Sequence, residues 1–108
     1  MKVQLHPDAE EELYRAAAWY EDKRAGLGQD LLVEIARWLV VLAETPRAWP
    51  QWPSAPQVDP PIRRVLPTRF PFAIGYQAFE DRVLILAFAH VSRRPFYWTA
   101  RAAPGNSD

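Results

Sequence analysis

The sequence has no cysteine, four glycines and one methionine in 108 residues, and no long uninterrupted hydrophobic run. Without cysteine, disulfide staples and thiolate zinc sites are excluded. No segment approaches the roughly 18 apolar residues that span a bilayer, and the N-terminus lacks the charged-then-apolar pattern of a signal peptide. A cytoplasmic protein with no membrane partner is expected. A chain of this size hides about two-thirds of the surface its unfolded form exposes, so one domain over residues 1–101 needs no structural metal or cofactor. Residues 102–108 are expected to form a disordered tail.

Net charge is missing too, with thirteen Lys+Arg against thirteen Asp+Glu. The zero hides a division. Residues 1–60 hold six basic and ten acidic side chains, and residues 61–108 hold seven basic and three acidic. All seven basic residues of the second segment are arginines: Arg63, Arg64, Arg69, Arg82, Arg93, Arg94 and Arg101. A guanidinium offers a planar fork of donors for carboxylate or phosphate that a lysine ammonium cannot reproduce.

What is abundant is proline, and eight of the eleven fall between Glu44 and Phe72, so residues 46–61 are expected to be a loop. Before it the apolar spacing is helical, with one stripe through Ala9, Leu13, Ala16, Ala17 and Tyr20 and another through Leu31, Leu32, Ile35, Leu39 and Leu42. Pro7 suits a first helical position, and Asp8, Glu10, Glu11 and Glu12 favour the positive end of the helix dipole. Gly26-Leu27-Gly28 separates the two helices, and a short strand, Lys2–Leu5, precedes them. Beyond the loop the period becomes two: Phe70, Phe72, Ile74 and Tyr76 alternate with their neighbours, while Val83–Ala89 is apolar on both faces and predicts a central strand. Phe79–Arg82 would turn between them, and Ile62–Leu66 would precede them. The expectation is an α+β fold: a short N-terminal strand, a helical hairpin, then a three-stranded antiparallel meander with the helices on one face.

The sequence resembles the RelE/ParE superfamily, the toxins of bacterial type II toxin-antitoxin pairs, and in particular its ParE-like plasmid-stabilisation branch. The residues that carry the resemblance run along almost the whole chain. They are His6-Pro7 with Ala9 and Glu12, Trp19-Tyr20-Glu21, Gly28, Pro46, Ile62-Arg63-Arg64, Arg69-Phe70-Pro71-Phe72 with Ile74 and Tyr76, and Ala89-His90 with Arg93, Pro95, Tyr97 and Trp98. The resemblance implies a toxin neutralised by a cognate antitoxin. RelE-like members cleave messenger RNA on the ribosome; ParE-like members poison DNA gyrase.

Metal-free RNA cleavage needs a group to take the 2′-hydroxyl proton, charge on the phosphate oxygens, and an acid for the leaving oxygen. Matched to the ribonuclease branch, one basic position falls near Arg64 and one on Arg93, and Tyr97 lies near the C-terminal tyrosine. Two other basic positions correspond to Leu66 and Ala73, which favours the gyrase-type binding toxin over the enzyme. If catalytic, the chain would be a metal-independent endoribonuclease, with Arg64 and Arg93 on phosphate charge and His90 or Tyr97 moving protons. Strand alternation places His90 with Leu84, Leu86 and Phe88, where it could equally be a packed structural histidine. His6 reads as a helix cap. Arg63, Arg64, Arg69, Arg93 and Arg94 are candidates for target or antitoxin contacts, or for pairing with the acidic first helix, and alternation sends Arg63 and Arg64 to opposite faces. Trp49, Trp52 and Trp98 are candidate interface anchors, or aromatics that fold back to close the core.

Overall fold

A computed structural model describes residues 1–94 and 96–102; Pro95 and, of the tail expected at 102–108, all but Ala102 lie outside the described residues. The element order is β1 (Lys2–Leu5), α1 (Pro7–Lys23), α2 (Leu27–Glu44), β2 (Ile62–Val65), β3 (Phe72–Ala78) and β4 (Arg82–His90), closed by a 3₁₀ turn at Thr99–Arg101. The α+β reading and its element order hold. The sheet is mixed rather than purely antiparallel: its order is β1-β4-β3-β2, and β1 runs parallel to β4 from Lys2↔Arg82 to Leu5↔Ile85. Two helices between β1 and the later strands provide the long crossover that a parallel neighbour requires.

Local chemistry sets the ends of the helices. His6 caps α1 by accepting the Asp8 N–H on Nδ1 at 3.1 Å, and Pro7 takes the first turn. The Glu21 carboxylate accepts the N–H groups of Gly26 at 2.8 Å and Gly28 at 3.0 Å, placing negative charge at the start of α2. A Cβ at Gly28 would sit 2.3 Å from the Ala17 carbonyl oxygen, so the close approach of the two helices requires glycine there. Among the described residues no helix is long and apolar enough to cross a membrane.

Each face of the sheet is buried differently. Val65, Ile74, Tyr76, Val83, Ile85 and Phe88 face α1 and α2, meeting Leu13, Leu31, Ile35 and Leu42. The other face carries Ile62, Leu84, Leu86, Ala87 and Ala89 under Trp52 and Trp98. The Trp52 ring lies so close to β3 that a Cβ at Gly75 would meet it at 2.9 Å.

The register corrects one expectation from strand alternation. Tyr76 pairs with Ile85 and Gly75 with Ala87, so Leu86 is an extra residue in β4. Leu86 and Ala87 therefore both turn away from the helices. His90 consequently shares the helix-covered face with Phe88, its ring edge-on to Phe72 at 5.2 Å, and not the face of Leu84 and Leu86.

Candidate functional site

The end of β4 and the chain that follows it gather most of the sequence candidates. Arg93 N–H donates to the His90 carbonyl at 3.0 Å, closing a turn, and Phe96 adopts a left-handed φ of 60°. From there the chain runs back across the sheet. Trp98, 1% exposed, is driven under Trp52, and Ala102 packs against the same cluster.

Arg101 ends this return on α1. Its guanidinium forks onto Glu12, Nη1 to Oε1 at 2.9 Å and Nη2 to Oε2 at 3.1 Å, and Nη1 also reaches the Leu86 carbonyl at 3.1 Å. Glu12 further accepts the Phe88 N–H at 3.1 Å and a short hydrogen bond from the Tyr97 hydroxyl. Because β1 ends opposite Ile85, no strand among the described residues flanks β4 on that side beyond it, and the Glu12 and Arg101 side chains satisfy the backbone groups that a longer β1 would have paired. Burial, then the Glu12 hydrogen bond and charge, push the Tyr97 phenol well above its ordinary range, against the opposing pull of Arg93 and Arg101. Burial alone would lower the Arg101 pKa; its contacts with Glu12 outweigh that and raise it.

Sequence reasoning missed this pair as a unit. In the sequence Glu12 groups with the acidic residues at the start of α1, and Arg101 is one more arginine of the basic segment. The signal available was position: Glu12 stands three residues after Ala9 and four before Ala16, on the stripe that α1 buries, where an unpaired carboxylate is costly.

On the face away from the helices, a depression of about 180 Å³ opens between the 96–102 return and the ends of β2 and β4. Arg64, Arg93 and Arg94 line it together with Trp52, His90 and Tyr97. The Arg64 guanidinium lies over the Trp52 ring at 5.4 Å and that of Arg93 over the Tyr97 ring at 4.0 Å. Leu66 and Ala73, the two positions that lack the expected basic residues, contribute apolar surface to the same depression.

The remaining candidates lie elsewhere. Arg63, on the helix side of β2, donates to the Trp49 carbonyl at 2.7 Å and ties the proline-rich loop to the sheet. Arg69 pairs with Asp30 of α2 at 2.8 Å. Trp49 folds back edge-on to Trp38 at 5.3 Å and packs against the helix-side core. Arg63 and Arg64 are thus divided between the two faces, as alternation required.

Both side chains considered for proton transfer are engaged within the fold. The Tyr97 hydroxyl is spent on Glu12. His90 Nδ1 accepts the Ser92 N–H at 3.1 Å, which places the proton of a neutral ring on Nε2 and leaves that nitrogen a donor. What the arrangement offers is anion recognition: three guanidinium groups around an aromatic and aliphatic floor. Among the described residues no group of three or more His, Cys, Asp or Glu side chains is placed to hold a metal. Compared with known proteins, the chain matches no family model and no curated sequence.

Proposed function

We propose that this protein is the toxin of a type II toxin-antitoxin module, ParE-like within the RelE/ParE superfamily. It grips a macromolecular target in the cytoplasm, with DNA gyrase first among the targets to test, and a cognate antitoxin neutralises it. The observation that carries this reading is the depression itself. Arg64, Arg93 and Arg94 converge on a floor that includes Leu66 and Ala73, while Tyr97 and His90 Nδ1 are hydrogen-bonded internally. A site with three guanidinium groups and no free base is suited to holding phosphate or carboxylate rather than to breaking a bond beside it. The strand, helical hairpin and three further strands, in the order the resemblance implies, support the same reading.

Purified protein is expected to block gyrase supercoiling or to trap the cleaved DNA complex, and Arg64→Ala with Arg93→Ala should abolish the effect. No effect of the wild type at saturating concentration would remove gyrase as the target.

One observation favours the ribosome-dependent endoribonuclease as a second reading: Arg64, His90, Arg93 and Tyr97 all line the one depression. That chemistry would require Tyr97 to leave Glu12 or His90 to change its hydrogen bonding. It predicts new 5′ ends in messenger RNA after induction, and transcripts that stay intact would exclude it.

A further inference from the structure

Between α1 and the end of β4 lies an open cleft of about 350 Å³. Its floor is aromatic, made by Trp19, Tyr20, Phe72 and Phe88. Trp19 leaves 57% of its surface to solvent at the mouth, its ring edge-on to Tyr20 at 5.0 Å. A cleft of this size sits at the small end of ligand sites, about 300–1,000 Å³, and holds one or two large side chains rather than a folded domain.

Cations outnumber carboxylates in its lining. Glu12 is the only carboxylate among the described residues that line the cleft, and its oxygens are taken by Phe88 N–H, Tyr97 and Arg101. Against that spent carboxylate stand two cations of the lining, Arg93 and Arg15, and Lys23 beside it. Arg93 makes no ion pair among the described residues and lies over the Tyr97 ring, Arg15 is held only by exposed Glu11 at 3.2 Å, and Lys23 covers the Trp19 ring at 4.7 Å. An exposed pair such as Arg15 with Glu11 contributes little and is readily exchanged for a better acceptor.

An apolar floor under a cationic rim fits a peptide segment that carries one aromatic or leucine-sized anchor between carboxylates. Arg93 has a further property: with His90 and Tyr97 it lines both this cleft and the basic depression. A carboxylate that holds Arg93 at the cleft withdraws one of the three guanidinium groups of the depression.

We propose that the α1–β4 cleft binds an acidic peptide segment through a single apolar anchor, and that through Arg93 this segment weakens anion binding at the basic depression. Peptide binding needs only the cleft; the coupling rests also on the reading of the depression as the target site. By linkage the weakening is mutual, so an anion in the depression lowers peptide affinity by the same factor.

The test uses the intact protein and two probes, a fluorescent peptide with one Phe flanked by Asp and Glu, and a short single-stranded oligonucleotide as polyanion. The peptide should bind, lose at least about tenfold in affinity in Trp19→Ala and in Arg93→Glu, and keep its affinity in Arg37→Ala, on the exposed side of α2. Peptide binding that is unmoved by both cleft variants, or equalled by a peptide with Lys in place of its acids, overturns the cleft assignment. Saturating peptide should weaken the oligonucleotide severalfold, with Arg64→Ala weakening the oligonucleotide alone. Simultaneous binding with no mutual effect overturns the coupling. If the oligonucleotide fails to bind while the peptide behaves as expected, the anion-site reading and the coupling fall and the cleft assignment stands.

Discussion

The two faces of the sheet are closed by different means. On one, two helices of seventeen and eighteen residues lay aliphatic stripes over β2, β3 and β4. On the other, no α-helix among the described residues covers the strands, and Trp52 from the proline-rich loop and Trp98 from the C-terminal return supply the main cover, with Phe96 beside them. Both closures leave an opening at the margin: the space between α1 and the end of β4 on the helix side, and the basic depression beside the aromatic cover.

That comparison breaks most directly at Trp98. If the aromatic cover is a true second core, Trp98→Ala should lower unfolding free energy by about 3–5 kcal/mol, comparable to a large deletion under the helices such as Leu31→Ala. Urea denaturation of the two variants measures this. A loss for Trp98→Ala below about 1 kcal/mol would mean that the second face is surface with rings resting on it.

Glu12 joins the faces, since it sits on α1 and holds the return that carries Trp98. Glu12→Gln should cost about 2–3 kcal/mol, below the 3–5 of a fully buried pair because both side chains keep 14–15% exposure. Part of the loss comes from Arg101, left without its counter-charge, so adding Arg101→Met should restore some stability. A double variant no better than Glu12→Gln would place the whole cost in the Tyr97 and Phe88 contacts.

The helix-covered face was readable from sequence because its signal is local. The stripes of α1 and α2 repeat every three to four residues, and Pro7, Gly28 and Pro46 mark where they begin and end. The aromatic face was not readable, because its contacts are far apart in the chain: Trp52 meets Gly75 and Trp98, and Glu12 meets Arg101 across eighty-nine residues. The extra residue at Leu86 is a further case. Val83–Ala89 is apolar throughout, so nothing in its pattern shows where alternation slips, and the slip decides which face receives His90. Of the site, the grouping of Arg64 with Arg93 and Arg94 was within reach of strand order, while the internal hydrogen bonds of Tyr97 were not.

Buried phenols extend the comparison to pH. Burial, opposed by the Arg63 charge, pushes Tyr76 up to about 12, its hydroxyl donating to the Pro46 carbonyl at 2.7 Å under the helices. Its folded pKa lies above the unfolded value near 10, so its contribution is complete below pH 10 and is lost as pH rises from there to about 12. The loss should amount to roughly 2–3 kcal/mol. Tyr97 shifts in the same direction and adds to it. Tyrosinate absorbance followed with unfolding should show late ionisation coincident with loss of structure, and Tyr76→Phe should flatten the alkaline fall. A phenol titrating near 10 in the folded protein would contradict its burial.

The smallest effect is the most selective. Arg63 and Arg93 are both arginines of the basic segment, but Arg63 holds backbone carbonyls of the loop on the helix side while Arg93 stands exposed between the two clefts. Arg63→Ala removes charged hydrogen bonds and should cost about 1.5–3 kcal/mol. Arg93→Ala gives up a cation–ring contact at an exposed position and should cost about 0.5–1 kcal/mol. Binding should respond in the opposite order: Arg93→Ala weakens an anion at the depression severalfold, and Arg63→Ala leaves it unchanged where the protein is folded. Denaturation and oligonucleotide anisotropy on the same two variants separate a guanidinium that holds the fold from one that is kept free for a ligand. Equal loss of binding in both would mean that the depression depends on the loop anchored by Arg63, and the division of the arginines between the two faces would not be a division of roles.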